Sequence, residues 1–113
     1  MWLFCKSGFF SSVVDFDNPE RVLVRARFKG DLERLLANMP SNVKAEIQHT
    51  PNADYPFRMF VRKSDWEMAV LSEAEGMDYT NFKNAAHDGT ARDAAYMDVW
   101  TAMRNAQNLT PRP

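Results

Sequence analysis

The stretch from Arg21 to Lys29 limits most tightly what this chain can fold into. Val22, Val24, Ala26 and Phe28 alternate there with Arg21, Leu23, Arg25, Arg27 and Lys29. Neighbouring side chains of a strand point to opposite faces, so this period of two describes a strand with one dry face. The rest of the first half offers partners for it. Residues 2–5 and 9–16 are rich in aromatic and β-branched types, with Ser7-Gly8 between them as a turn or bulge. Asp17-Asn18-Pro19 is a turn signal. Val43, Ala45 and Ile47 alternate with Lys44, Glu46 and Gln48, which predicts another half-buried strand. After a loop over Thr50–Asp54, Phe57, Met59 and Val61 alternate with Arg58, Phe60 and Arg62 and predict one more.

Helical spacing fills the gaps and the second half. Gly30-Asp31 opens a short helix with Asp31 as N-cap. Leu32, Leu35, Leu36 and Met39 share its inner face, and Pro40 ends it. Ser64-Asp65-Trp66-Glu67 has the form of a capping box, predicting a helix from Asp65 to about Glu75 with Trp66, Ala69 and Val70 inward and Gly76 as its stop. Asp78 or Thr80 caps a short helix carrying Phe82, Ala85 and Ala86, closed by Gly89. Thr90 and Asp93 start a last helix whose apolar face is Tyr96, Val99, Trp100 and Met103.

This order predicts an α+β fold: a small antiparallel sheet of about four to five strands with helices packed on it. The β-α-β-β-α run over residues 21–75 is partly ferredoxin-like, the N-terminal segment can supply the missing fourth strand, and additional helices follow at the C-terminal end. At 113 residues the chain reads as one domain over residues 1–107. Residues 108–113, with two prolines and no periodic pattern, read as a flexible tail. The hydrophobic share of 45% suffices for one core without metal or disulfide staples.

Charge and cysteine usage narrow the classes. The net charge of -1 excludes a strongly basic nucleic-acid binder and an acidic mimic of DNA. The two halves differ, with +3 over residues 1–63 and -4 over residues 64–113. Cys5 is the one cysteine, so no internal disulfide can form. Lys6 interrupts the apolar start, which lacks a basic lead and a small-residue cleavage site, so it does not read as a signal peptide. No stretch approaches the ~20 apolar residues of a membrane-spanning helix. The expected location is the cytoplasm, with no membrane partner.

Two constellations are candidates for binding. The first is the wet face of the two best strands, with Arg25, Arg27, Lys29, Arg58, Phe60 and Arg62. Basic groups interleaved with an aromatic on a sheet suit nucleic acid or a nucleotide: phosphates meet the charges while a base stacks on the ring. Solvated strand residues are also commonly Arg and Lys, and the later helices could cover this face. The second pairs Asp54-Tyr55-Pro56-Phe57-Arg58 with Met77-Asp78-Tyr79-Thr80-Asn81-Phe82-Lys83, where Asp54, Tyr55, Asp78, Tyr79, Asn81 and Lys83 sit at loop junctions. The plainer account of these is turn caps, packed rings and solvated cations.

Catalytic sets are weak by comparison. Cys5 with His87 and Asp88 could form a thiolate, imidazole and carboxylate set, but chain neighbours do not supply its geometry, and a cysteine in an apolar strand is usually an inert small hydrophobe. A hydrolase or transferase using Tyr79, Lys83 and His87 ranks lowest. His49 and His87 lie outside any ligand-type spacing, and the four glycines are scattered, so neither a metal, a cofactor nor a phosphate loop is expected. The carboxylate pairs Glu73/Glu75 and Asp88/Asp93 receive no role. Trp2, Trp66 and Trp100 each sit where a core anchor would, while Met68, Met77 and Met97 fall off the apolar faces and favour a partner surface.

The opening Met1-Trp2-Leu3-Phe4 with Gly8-Phe9-Phe10-Ser11, the Ala53-Asp54-Tyr55 with Arg58 and Val61, the Asp78-Tyr79 with Asn81-Phe82-Lys83, and the closing Tyr96 with Val99-Trp100 resemble a family of small uncharacterised bacterial proteins. The likeness spans nearly the whole chain and implies a self-contained domain of bacterial or phage-like origin, with no established activity. Members often carry Thr where this chain has Cys5, which counts against a Cys5 nucleophile. The leading expectation is a non-enzymatic protein-binding or regulatory module, because aromatic, Met and Arg residues are plentiful, and its size and the resemblance would fit a phage or mobile-element regulator. Nucleic-acid binding by the sheet face is the alternative, and an uncovered sheet edge or face would suit a homodimer.

Overall fold

The computed structural model describes residues 1–109. The chain forms two compact units, the first Met1–Asp78 and the second beginning at Tyr79. The first holds strands β1 (Trp2–Cys5), β2 (Gly8–Asp15), β3 (Asn18–Ala26), β4 (Gln48–His49) and β5 (Phe57–Arg62), with helix α1 (Lys29–Ala37) after β3 and α2 (Lys63–Glu75) after β5. The second holds α3 (Phe82–Ala85) and α4 (Ala91–Leu109).

The five strands form one antiparallel sheet in the order β1-β2-β3-β5-β4. Both β3 and β4 run antiparallel to β5 and flank it, so they share a direction. Strand β2 lies on the far side of β3. This is the ferredoxin-like order, with the fourth place filled from the start of the chain. The dry face of β3 and β5 behaves as its periodicity requires. Val22, Val24, Ala26, Met59 and Val61 are buried together with Phe10, Leu32, Leu35, Trp66 and Ala69. Each of the Val, Leu, Met and Phe side chains among these contributes roughly 1.5–3 kcal/mol by leaving water.

Several boundaries differ from the sequence expectation. Strand β3 begins at Asn18 and ends at Ala26, and Lys29 already belongs to α1. Phe28 is the extended N-cap residue of α1, and its ring is exposed rather than dry. Asp31 does not cap the helix. It sits in the first turn, fully buried, accepts a hydrogen bond from the Phe9 amide at 3.2 Å, and pairs with Arg34. The capping box over Ser64–Glu67 is not formed either: α2 starts at Lys63 with Arg62 as N-cap residue and no side-chain cap. Arg62 instead donates two hydrogen bonds to Asp65, at 2.9 and 3.0 Å. Residues 43–47 form no ladder, and only Gln48–His49 pairs with β5. Val43, Ala45 and Ile47 still lean on the core, so their alternation marked burial and not strand pairing.

In the second unit the N-cap of α3 falls on Asn81, whose side-chain oxygen accepts from the Asn84 amide at 3.1 Å, rather than on Asp78 or Thr80. The start of α4 is built as expected. Thr90 accepts from the Arg92 amide at 3.3 Å, and Asp93 accepts from the amides of Asp88 and Gly89 at 3.0 and 2.9 Å. Tyr96 is buried and stacks on Phe82 at 5.6 Å between centroids. Trp100 and Met103, expected on the same covered face, are exposed. Helix α4 runs on through Asn108 and Leu109, where a tail was expected, and residues 110–113 lie outside the described residues.

Candidate functional site

The sheet face turned away from α1 and α2 gathers the wet-face residues. Cross-strand partners share a face, and the register pairs Trp2 with Ser11, Phe4 with Phe9, Ser11 with Arg25, Arg25 with Arg58, Leu23 with Phe60, and Arg21 with Arg62. One end of this face is aromatic. Phe4 stacks on Phe9 at 4.3 Å, Trp2 meets Phe9 edge-on at 5.9 Å, and Tyr55 approaches Phe9 at 6.3 Å. Tyr55 comes from the loop before β5 and is only 6% exposed, whereas Trp2 is 69% exposed.

Arginines carry the middle of the face. Arg25 and Arg27 lie over the Tyr55 ring at 5.0 and 4.4 Å. Arg27 also donates to the Asp54 carbonyl at 2.6 Å and to its carboxylate at 3.2 Å. Arg25 donates to the Ser11 hydroxyl at 2.8 Å, and Arg58 donates weakly to the Tyr55 carbonyl at 3.4 Å. Arg21 covers the Phe60 ring at 4.1 Å. A guanidinium over a ring is attracted by the ring's negative face, and the flat contact limits where the side chain can swing.

Charge compensation divides these arginines. Arg21 is paired with Asp15 at 2.7 Å, Arg27 with Asp54 at 3.2 Å, and Arg62 with Asp65 at 2.9 Å. Arg25 and Arg58 stand directly opposite one another, and among the described residues neither has a carboxylate within ion-pair distance. The Nε of each is buried with no hydrogen-bond partner. Like charges directly opposed on a sheet are destabilising, and an unmet buried donor costs about 1–3 kcal/mol. The protein therefore holds this pair against its own electrostatics.

Arg25, Arg27, Arg58, Phe60, Asp54 and Tyr55 thus converge, while Arg62 lies at the strand end, tied to α2 through Asp65. Asp78 closes the first unit. Tyr79, Asn81 and Lys83 belong to the second unit, where Tyr79 packs near Phe82 at 6.0 Å, Asn81 caps α3, and the Lys83 ammonium lies over Trp100 at 4.5 Å. Sequence reasoning missed Trp2, Phe4, Phe9 and Ser11 on the sheet face. The signal was Phe9-Phe10: adjacent aromatics in one strand must face both ways, and Phe10 takes the core. Trp2 and Trp100 are exposed, so of the three expected tryptophan anchors only Trp66 is buried.

Elsewhere the polar clusters tie neighbouring elements together. Cys5 is buried in the core, and burial, then the Glu73 charge, push its thiol up to about 11. Burial thus disfavours the thiolate that a nucleophile needs. Glu73 accepts a hydrogen bond from Ser7, whose own hydroxyl oxygen accepts from Asn38 at 3.3 Å and whose carbonyl accepts from Arg34 at 2.9 Å. This network pins the β1–β2 hairpin to both helices. His87 pairs with Asp93 at 2.7 Å within the second unit. Among the described residues no three His, Cys, Asp or Glu side chains group closely enough to hold a metal ion, and no helix is long and apolar enough to cross a membrane.

No protein-family model, no curated protein and no solved structure matches this chain.

Proposed function

We propose that this protein is a non-enzymatic binding module whose sheet face, opposite α1 and α2, receives an acidic and apolar segment of a protein partner. The observation that carries this is the Arg25–Arg58 pair, directly opposed and without a carboxylate, beside the aromatic group of Trp2, Phe4, Phe9 and Tyr55. Trp, Tyr and Arg are the residue types that dominate interface energetics, and an uncompensated cation pair next to apolar rings is complementary to an acidic group flanked by apolar side chains. The reading places the protein in the cytoplasm, where its lone thiol stays reduced, and a bacterial or mobile-element regulator of a host protein fits it.

The arrangement of Arg21 on Phe60 favours a second reading, single-stranded nucleic acid stacked along the sheet. A phosphate backbone draws its affinity from several free cations, and Asp15, Asp54 and Asp65 already neutralise Arg21, Arg27 and Arg62. The protein reading therefore stands first.

The test is capture from bacterial lysate with and without nuclease, using the tagged chain and its Arg25→Glu/Arg58→Glu variant. The expected result is a protein that survives nuclease and is lost with the charge-reversed variant. Recovery of nucleic acid promotes the second reading. Self-association alone, seen by sedimentation, makes the occupant a second copy of this chain. Turnover in a substrate screen that disappears on changing Tyr55 or Tyr79 overturns the non-enzymatic reading.

A further inference from the structure

We infer that Arg25 and Arg58 form a carboxylate-binding site, the element that gives the proposed face its specificity. The inference rests on the protein-binding reading of that face and names the group it recognises. Three observations carry it. The two residues are Cα partners across β3 and β5, so their side chains rise from one face as direct neighbours. Each guanidinium is anchored on one side: Arg25 by the Ser11 hydroxyl and the Tyr55 ring, Arg58 by the Tyr55 carbonyl. Neither meets a carboxylate among the described residues, although each of the neighbouring arginines 21, 27 and 62 has recruited an aspartate.

Two neighbouring guanidiniums, each tethered by a hydrogen bond, leave further N–H donors for one planar acceptor group. A carboxylate between them would relieve the mutual repulsion and accept charge-assisted hydrogen bonds from both. Anchoring in advance lowers the ordering cost of binding. The chemistry on offer is recognition of a small oxyanion, which a carboxylate or a phosphate group could supply. The carboxylate is favoured by the surroundings. Leu23, Phe60 and Phe9 are only partly exposed and flank the pair, so a partner residue must bring apolar neighbours with its charge. A doubly charged phosphate there lacks the cluster of further free cations that it usually recruits.

The experiment is a titration of the full chain with sodium glutarate at constant ionic strength, read by the Nε–Hε resonances of the arginines. The expected result is that Arg25 and Arg58 move together and saturate while Arg21, Arg27 and Arg62 stay still. Lys cannot present the planar fork, so Arg25→Lys or Arg58→Lys should weaken the saturable response about tenfold or more, with the circular dichroism of the fold unchanged. Unsaturated drift of all the arginines overturns the site. Saturation by inorganic phosphate but not by glutarate also overturns it, in favour of a phosphate group. The same variants separate this inference from the reading beneath it. If Arg58→Lys still captures the nuclease-resistant partner and Trp2→Ala loses it, the carboxylate site fails and the binding face stands. If neither change affects capture, the face itself fails.

Discussion

Strands β3 and β5 carry two faces on one backbone, and the two are finished by different physics. Toward α1 and α2, Val22, Val24, Ala26, Met59 and Val61 are held by removal from water and need no orientation beyond fit. On the opposite side Leu23, Arg25, Phe60 and Arg58 stay half-buried, and order comes from directional contacts: guanidinium on ring, guanidinium on hydroxyl, carbonyl and carboxylate. The first face can only be a core. The second is rigid yet partly wet, and it retains an unneutralised pair of charges. A surface held at an electrostatic cost is what the proposed binding face requires.

Substitution on each face tests this contrast. Met59→Ala should be the most damaging change, costing about 2–5 kcal/mol in urea unfolding, because it opens a cavity at a fully buried site. Gly8→Ala should follow at about 1–3 kcal/mol: a Cβ there would overlap the Asp31 carboxyl, which is locked to Phe9 and Arg34 and cannot retreat. Arg58→Met should sit at the other extreme, changing stability by less than about 1 kcal/mol while abolishing the glutarate response, since it removes repulsion and an unmet donor together. A loss from Arg58→Met as large as that from Met59→Ala would make the second face another core and break the contrast.

A smaller effect sharpens the picture in the second unit. Hydrogen bonds from Thr90, then the Arg92 charge, hold the Asp88 carboxyl below its ordinary value near 3.8. Its stabilising contribution is thus complete above that value and is lost as pH falls through the depressed one. Asp88→Asn should destabilise the start of α4 at neutral pH, and the difference from wild type should close in strong acid, as followed by far-ultraviolet circular dichroism across pH.

Much of the first unit was legible because alternation and helical spacing report burial, and burial built the element. Val22 through Ala26 and Phe57 through Val61 are the clear cases. The failures lie where local polar chemistry was read in isolation. Asp31 and Ser64 look like caps, but Asp31 was drawn to the Phe9 amide across the hairpin, and Arg62 holds Asp65 at the helix start in place of a capping hydroxyl. Both outcomes depend on partners distant in sequence or on a charge pair that the capping pattern ignores. Of the candidate face, the arginines and Phe60 were readable from their period. The Trp2–Phe4–Phe9 group was not, because its place depends on how β1 registers against β2. Tyr55 emerged as a loop residue, yet its role as the platform beneath Arg25 and Arg27 needed three-dimensional closure.

The segment from Pro40 to Ile47 crosses from α1 to the sheet with few backbone bonds, fastened by Val43, Ala45 and Ile47 as by separate rivets. A ladder transmits any change of length along its whole register, whereas rivets tolerate slack between them. Extra residues at the exposed positions Ser41 and Asn42 should therefore leave β3 and β5 aligned. For an engineer, this crossing is the seam at which a fluorophore or a second domain can be spliced in without disturbing the arginine pair.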